Sequence, residues 1–123
     1  MGKIDFVRVK GIAVPVTNLE RAARFYGEML GLKPVEGENP PATFEIGDAI
    51  LMLKEGWYAP PTKEPNPRVT FEVADARAAE AALRAMGVTI SDPVEMFGSH
   101  PVGAFIDSEG NKLWFCSAAD APS

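Results

Sequence analysis

The stretch that decides the fold is TNLERAARFYGEMLGLKP, Thr17 to Pro34, because its plan returns as ADARAAEAALRAMGVTISDP from Ala74 to Pro93. In each copy an apolar strand leads to a short polar residue, an amphipathic helix follows, and a glycine ends that helix. Any two strand-to-helix units look somewhat alike. Strands on both sides of each helix at matching offsets nevertheless favour duplication of one module.

The first copy predicts a helix that starts near Leu19. Thr17 or Asn18 can cap it, because their side-chain oxygens accept the free N–H groups of the first turn. Glu20 has the spacing of a capping box with Thr17, and Gly31 supplies the left-handed residue that ends a helix. The stripe predicted to face the core comprises Leu19, Ala22, Ala23, Tyr26 and Leu30.

The second copy predicts a helix over 76–86, capped by Asp75 and ended by Gly87. Its apolar stripe comprises Ala79, Ala82, Leu83 and Met86. Alternating or short apolar runs predict four strands in each half of the chain. The predicted strands cover 7–16, 33–36, 43–46 and 49–54 in the first half and 68–73, 88–90, 102–106 and 112–116 in the second.

The length bounds the domain organisation. With 123 residues, of which 46% are hydrophobic and 24% charged, the chain can build one core but not two independent domains. We therefore predict a single α+β domain over 1–123. Its first βαβββ module spans 7–54, a Pro-rich linker spans 55–67, and its second βαβββ module spans 68–117.

Charge and composition exclude several classes of partner. A net charge of −5 and the lack of a basic run argue against a nucleic-acid surface. No stretch approaches the roughly 20 apolar residues of a membrane span, and MGKIDFVRVK lacks the apolar run of a signal peptide. The single cysteine, Cys116, rules out an internal disulfide and is typical of a reducing cytoplasm.

Alternation along the strands divides their side chains between two faces. Each module has one helix, which covers one face of its sheet, so the opposite faces must form a cleft or pack elsewhere. Pairing of the two sheets would give a half-open mixed barrel around that cleft. The predicted cleft residues are Met52, Arg68, Thr70 and Trp114. The predicted helix-facing residues are Ile12, Val14, Val16, Ala49, Leu51, Leu53, Val69, Phe71, Val73, Leu113 and Phe115.

Three segments together span nearly the whole chain and carry a resemblance to a known superfamily. They are VPVTNLERAARFYGEMLGL (Val14–Leu32), EVADARAAEAALRAMGV (Glu72–Val88) and AFIDSEGNKLWF (Ala104–Phe115). They resemble the vicinal oxygen chelate superfamily, which includes glyoxalase I, extradiol dioxygenases, fosfomycin-resistance enzymes and bleomycin-resistance proteins. The resemblance implies paired βαβββ modules around a U-shaped cleft, commonly in a homodimer.

Metal-dependent members of that superfamily bind one divalent ion through His, Glu or Gln on the first and fourth strands of each module. By the resemblance, these positions fall on Gly11, Met52, Arg68 and Trp114. A glycine has no side chain, a thioether is a soft donor, a guanidinium is cationic, and an indole N–H has no free lone pair. A slip of one residue gives only apolar side chains. We therefore predict no metal and no cofactor.

These replacements suit a ligand-binding cleft. Met52 and Trp114, joined by Trp57 or Tyr58 from the linker, would offer adaptable and flat apolar walls. Arg68 could fork a ligand carboxylate or phosphate. The predicted ligand-binding set is Met52, Trp57, Arg68, Thr70, His100 and Trp114, with His100 placed in a loop at the cleft rim.

Structural roles compete for the same side chains. Arg68 and Glu72 share a strand face and could pair with each other, and Trp114 could belong to the core. Trp57 could cover the core or a dimer surface, and His100 could be a surface residue without a role.

We therefore expect a cytoplasmic, homodimeric, metal-free member of the superfamily that binds a small, partly apolar organic molecule. Two enzymatic alternatives stay open. The first is a divalent-metal-dependent lyase, isomerase or dioxygenase with displaced ligands, for which the candidates are Glu45, Glu72, His100 and Asp107. The second is a metal-independent enzyme that uses Arg68 as electrophile and a nearby carboxylate as base.

Overall fold

The computed structural model describes residues 4–5, 7–57, 59–65 and 67–118. In these ranges no helix is long and apolar enough to cross a membrane. The elements are β1 (Gly11–Val16), α1 (Leu19–Ala23), which continues as a π-helix over Arg24–Met29, β2 (Lys33–Pro34), β3 (Thr43–Ile46), β4 (Ala49–Glu55), β5 (Thr70–Glu72), α2 (Ala76–Ala85), β6 (Thr89–Phe97), β7 (His100–Ile106) and β8 (Lys112–Cys116).

The strands form two four-stranded sheets of the same topology, in the orders β1-β4-β3-β2 and β5-β8-β7-β6. In each sheet the first and fourth strands run parallel and the remaining neighbours run antiparallel. The α+β class and the half-open arrangement of two βαβββ units are thereby confirmed. The division into modules 7–54 and 68–117 around a linker over 55–67 stays a proposal.

The hydrophobic core lies on the helix-covered sides of the two sheets. The predicted helix-facing set is confirmed except at Ala49, which is half-buried and lies outside the core cluster. The other members are buried or pack on that cluster, with Leu51 and Phe115 almost inaccessible. Phe25 from the first half stacks on Phe105 from the second, with ring centroids 6.3 Å apart. The two halves therefore share one core rather than building two.

The first helix differs from the prediction because it widens into a π-helix. Leu30 donates its N–H to the Phe25 carbonyl at 2.9 Å, a bond that spans five residues. The wider turn directs both Phe25 and Tyr26 inward, so Phe25, which the predicted stripe omitted, is 4% exposed. Gly27 lies against Phe44, where an added Cβ would be 3.1 Å from the ring.

The helix caps agree with the sequence except in one detail. Asn18 accepts the N–H of Arg21, and Asp75 accepts those of Arg77 and Ala78. The capping box on Thr17 was wrong, because Thr17 instead donates its N–H and hydroxyl to Glu109, from the turn between β7 and β8. A distant carboxylate therefore satisfies donors that local pairing was expected to satisfy.

Three strands of the first sheet and the first strand of the second differ in length from the prediction. β1 begins at Gly11 rather than at residue 7, because its pairing with β4 starts only at Gly11 and Ile50. β2 ends at Pro34, and β5 covers 70–72 rather than 68–73, so that Arg68 lies just before it. β4 extends one residue further, to Glu55.

β6 was predicted over 88–90 but covers Thr89–Phe97. It tolerates Pro93 because it is an edge strand whose register shifts between Ile90 and Asp92 and again between Asp92 and Glu95. Its extension also moves the next strand, since β7 begins at His100, a residue predicted to lie in a loop.

The turn between β7 and β8 fastens the second half to the first helix. The Glu109 carboxylate accepts the N–H groups of Thr17 and Asn18 at 2.8 and 2.9 Å and pairs with Arg21 at 2.7 Å. Asn111 donates its side-chain amide to the Pro15 carbonyl at 2.7 Å. These hydrogen bonds and the ion pair connect the second sheet to the first and help to fix their relative orientation.

Candidate ligand-binding site

The sheet face opposite α2 carries a row of side chains from all four strands of the second sheet. Thr70 pairs with Trp114, Trp114 with Ala104, and Ala104 with Asp92. Residues paired across neighbouring strands share a face. The row therefore places an indole ring between a hydroxyl and a carboxylate.

Trp114 lies at the centre of this row beneath two cations. The Arg68 guanidinium carbon is 4.7 Å from the ring centroid, and the Lys112 ammonium nitrogen is 4.8 Å from it. Both distances allow cation–π attraction. Trp114 is only 7% exposed, although it belongs to the face that no helix covers. The backbone N–H of Trp114 donates to the Val69 carbonyl at 2.9 Å, which holds the residue after Arg68 beside β8.

Lys112 is fixed by a second contact. Its ammonium group lies 2.8 Å from Asp92 Oδ1, and the side chains are 19% and 49% exposed, respectively. The hydrogen bond from Lys112 lowers the pKa of Asp92 despite the opposing effect of partial burial, and Ser91 and the charge of Arg68 act in the same direction. Asp92 is therefore an anion at neutral pH, and it compensates the charge of Lys112.

Arg68 is held less firmly. In the part of the chain that the structure describes, no carboxylate lies within ion-pair distance of its guanidinium, so the alternative pairing with Glu72 does not occur. Arg68 is exposed and precedes β5 rather than belonging to it. A guanidinium has five N–H donors, which remain available here for a ligand.

The first sheet holds Gly11 and Met52, two of the four positions at which the sequence resemblance implied metal ligands. Gly11 and Met52 are neighbours, since a Cβ added to Gly11 would lie 3.0 Å from the Met52 methyl carbon. Neither supplies a hard donor. In the second sheet the Arg68 guanidinium covers Trp114, which puts a positive charge where a cation would have to bind. The residues therefore do not fit a divalent ion.

The proposed replacement ligands lie on separate elements. Glu45 pairs with Lys33 at 3.5 Å, and Asp107 is buried and accepts hydrogen bonds from Tyr26 and Asn111. Among residues 4–5, 7–57, 59–65 and 67–118, no three His, Cys, Asp or Glu side chains form a group that could hold a metal ion. The geometry thus offers no displaced metal centre in these ranges.

The structure brings together three of the six predicted ligand-binding residues, namely Arg68, Thr70 and Trp114. His100 lies at the hairpin end of β7, with its Nδ1 3.3 Å from Ser99 Oγ. It is four residues from Ala104, the neighbour of Trp114, a distance of about 13 Å along a strand. Trp57 follows β4 and is 39% exposed. Tyr58, the alternative to Trp57, lies outside the described residues.

Lys112 and Asp92 were missed by the sequence reasoning. Lys112 stands two residues before Trp114, so alternation alone would have placed both on one face. Asp92 gave no such signal, because β6 was predicted to end at residue 90.

An apolar cavity lies elsewhere, on the helix-covered side. It has a volume of about 280 Å³ and lies between α2 and the end of the first helical segment, which comprises α1 and its π-helical continuation over residues 19–29. Leu30, Ala79, Ala82 and Met86 are among its lining residues. It contains none of the predicted ligand-binding residues. Its lining offers no cation or hydroxyl group comparable to the Trp114 row.

The fold and this site define a duplicated βαβββ protein with a polar and aromatic sheet face that no helix covers. The chain belongs to the Glyoxalase/Bleomycin resistance protein/Dioxygenase superfamily, whose sequence model matches residues 8–115. No curated protein sequence is significantly similar to it.

Solved structures show the same fold at low sequence identity. A Bacillus anthracis protein assigned to the glyoxalase family is 17% identical, with a TM-score of 0.79 over 94% of this chain and 98% of that one. TnmS3, an antibiotic-binding protein from a Streptomyces species, is 20% identical, with a TM-score of 0.74 over 95% and 100%. Lactoylglutathione lyase from Agrobacterium tumefaciens is 16% identical, with a TM-score of 0.70 over 90% and 93%. At these identities the likeness establishes the fold alone.

Proposed function

We propose that this protein binds a small, partly apolar organic molecule on the Trp114 face of its second sheet, without a metal ion. The observation that carries this proposal is the Arg68 guanidinium 4.7 Å above the Trp114 ring. By the sequence resemblance, these residues occupy two of the four positions at which metal-dependent members of the superfamily bind their ion. Together they replace hard donors by a flat apolar surface and a forked hydrogen-bond donor.

Two further observations support binding over catalysis. Asp92 is the carboxylate that acts electrostatically with Arg68, so it is the natural base for a metal-independent enzyme. Its pKa is lowered, however, which makes it a weak proton acceptor at neutral pH. In addition, TnmS3, which shares the fold, is an antibiotic-binding protein.

Elemental analysis tests the absence of a metal. Untagged protein would be dialysed against Mn, Fe, Co, Ni and Zn in turn and then freed of excess ion. We expect far less than one ion per chain. About one ion per chain, lost in Glu45→Gln, Glu72→Gln, His100→Ala or Asp107→Asn variants, would overturn the proposal in favour of a metal enzyme.

Tryptophan fluorescence tests the binding itself. The chain has two tryptophans, so Trp57→Phe leaves Trp114 as the reporter. A screen of flat anionic, neutral and cationic organic molecules should find compounds that change this emission saturably. The same compounds should lose affinity, measured by calorimetry, in Trp114→Leu. Saturable binding that Trp114→Leu leaves unchanged would place the ligand elsewhere.

We also propose that the protein is a cytoplasmic homodimer. Its exposed apolar side chains include Ile4, Val7 and Val9, of which Val7 is 85% accessible. A second copy could cover them. Light scattering after size exclusion should give twice the chain mass for the native protein and a lower mass for Val7→Ser/Val9→Ser. A monomer at all concentrations would contradict the proposal. The free thiol of Cys116 is compatible with a reducing compartment.

A further inference from the structure

We infer that the ligand combines a flat aromatic ring with one anionic group, and that Arg68 exchanges places with that ring. In this exchange the guanidinium leaves the face of Trp114 and pairs with the anion, while the ligand ring takes its position. The inference rests on the proposed function, since it names the class of molecule that the Trp114 row would select.

The covered state of the indole ring motivates the exchange. With Arg68 and Lys112 both near its centroid, Trp114 is 7% exposed. A flat ligand can stack on the ring only if one of the two cations moves. The site is therefore closed by its own side chains until a ligand competes for the ring.

The contacts of the two cations decide which one moves. Lys112 belongs to β8, and its backbone N–H donates to the Thr62 carbonyl at 3.0 Å. Its side-chain ammonium group is paired with Asp92 at 2.8 Å. Arg68 precedes β5, is exposed, and has no ion pair within the described ranges. Displacing Lys112 would break a short ion pair, whereas displacing Arg68 breaks its contact with the ring and alters only a longer-range attraction to Asp92.

The charges then decide the class of ligand. A neutral ring that displaces Arg68 offers the guanidinium no new partner, and a cationic one is repelled by Arg68 and Lys112. An anionic group compensates the displacement, because it accepts two charge-assisted hydrogen bonds from the guanidinium fork. Arg68, Lys112 and Asp92 together leave one positive charge around the Trp114 ring, in a chain whose net charge is −5. Glu72 and Glu95 lie on the same face in the next row of paired residues, so the positive charge is confined to the surroundings of the ring.

A matched ligand pair tests the inference. 2-Naphthoate and 2-naphthamide share one ring system and differ in charge, and both can be titrated into the Trp57→Phe protein by calorimetry and fluorescence. We expect naphthoate to bind about tenfold more tightly than naphthamide, as one charged hydrogen-bonding contact would give. Arg68→Gln should remove the difference, and Arg68→Lys should keep part of it, because lysine retains the charge but not the fork.

The matched control is Arg24→Gln, which removes the same charge from an exposed position on the first helical segment. It should leave both affinities unchanged, and circular dichroism should show that every variant is folded. Equal affinities for the two compounds, or a preference that survives Arg68→Gln, would overturn the inference. Binding of neutral or cationic rings alone would overturn it too but leave the proposed function standing. If no flat compound of any charge affects Trp114, the proposed function fails as well.

Discussion

The Tyr26 hydroxyl donates a hydrogen bond of 2.6 Å to Asp107 Oδ2, and both side chains are buried. Burial raises the pKa of Tyr26 well above its usual value, and the charge and hydrogen bond of Asp107 act in the same direction. The phenol therefore keeps its proton, and remains a donor, at a pH at which an ordinary tyrosine would lose it. The bond joins the first helical segment to the turn between β7 and β8, and so links the two sheets.

Tyr26→Phe removes this donor and keeps the ring. Asp107 retains the N–H groups of Glu109 and Asn111, so its carboxylate loses one partner of several. We expect the free energy of unfolding in urea to fall by about 1–3 kcal/mol, the range for a buried polar group that loses a partner. Glu28→Gln, an exposed change on the same segment, should stay within about 0.5 kcal/mol of the native protein. A similarly small effect of Tyr26→Phe would show that the bond does not hold the halves together.

The Glu109 carboxylate makes the stability of the folded protein depend on pH in the acidic range. Burial acts to raise its pKa, but hydrogen bonds from Arg21, Thr17 and Asn18 outweigh this and lower the pKa from 4.5 to about 2. A carboxyl group with a lower pKa in the folded state stabilises the fold fully above its unfolded pKa. Its contribution is therefore lost as the pH falls from 4.5 toward about 2.

Glu109→Gln should lower the free energy of unfolding at neutral pH by about 1–3 kcal/mol, because a charged acceptor of several donors is replaced by a neutral one. The loss should shrink as the pH falls from 4.5 toward about 2, since the carboxyl group is then protonated in the unfolded chain while the folded protein still holds it ionised. Urea titrations at several pH values measure both effects. The exposed Glu36→Gln variant is the control. A loss for Glu109→Gln that stays constant down to pH 2 would contradict the assignment.

Gly103 on β7 is enclosed by its neighbours. A Cβ added there would lie 2.8 Å from Phe115 Cζ and 2.9 Å from Val94 Cγ2. Gly103→Ala should therefore destabilise the fold by about 1–3 kcal/mol through overpacking. Val94→Ala should be less destabilising in the Gly103→Ala background than in the native one, because it removes one clash. Strictly additive effects in this double-mutant cycle would show that the two side chains do not meet.

Local chemistry explains why much of the fold was predictable. Asp75 and Asn18 cap helices in the structure as in the prediction, and strand alternation identified the buried faces, because both depend on residues close in sequence. The π-helix was not predictable from spacing alone. It places Phe25 against Phe105 and Tyr26 against Asp107, contacts that are distant in sequence.

The candidate site shows the same division between local and distant effects. Alternation placed Arg68, Thr70 and Trp114 on one face, and the structure brings them together. Asp92 could not be assigned, because two register shifts around it extend β6 past Pro93 and carry the carboxylate to Lys112. His100 was placed at the cleft rim, but the same extension moves it to the hairpin end of the sheet.

Asp92→Asn tests the charge balance of the Trp114 row. Asp92 compensates Lys112 at 2.8 Å, so its neutralisation should leave a second positive charge available to an anionic ligand. We expect the affinity for 2-naphthoate to rise about threefold at low ionic strength and less at high salt, as a partly screened charge interaction requires. Because the Asp92 side chain is 49% exposed, the substitution should change the free energy of unfolding by no more than about 1 kcal/mol.

Glu95→Gln is the matched control for that experiment, because it removes one negative charge from an exposed position of the same strand. It should raise the affinity much less than Asp92→Asn does, since Glu95 has no part in the contacts of Lys112 or Trp114. Equal gains for the two variants would mean that only the net charge of the protein matters. A loss of affinity in Asp92→Asn would mean that the carboxylate itself contacts the ligand. The site would then bind a hydrogen-bond donor of the ligand rather than an anionic group.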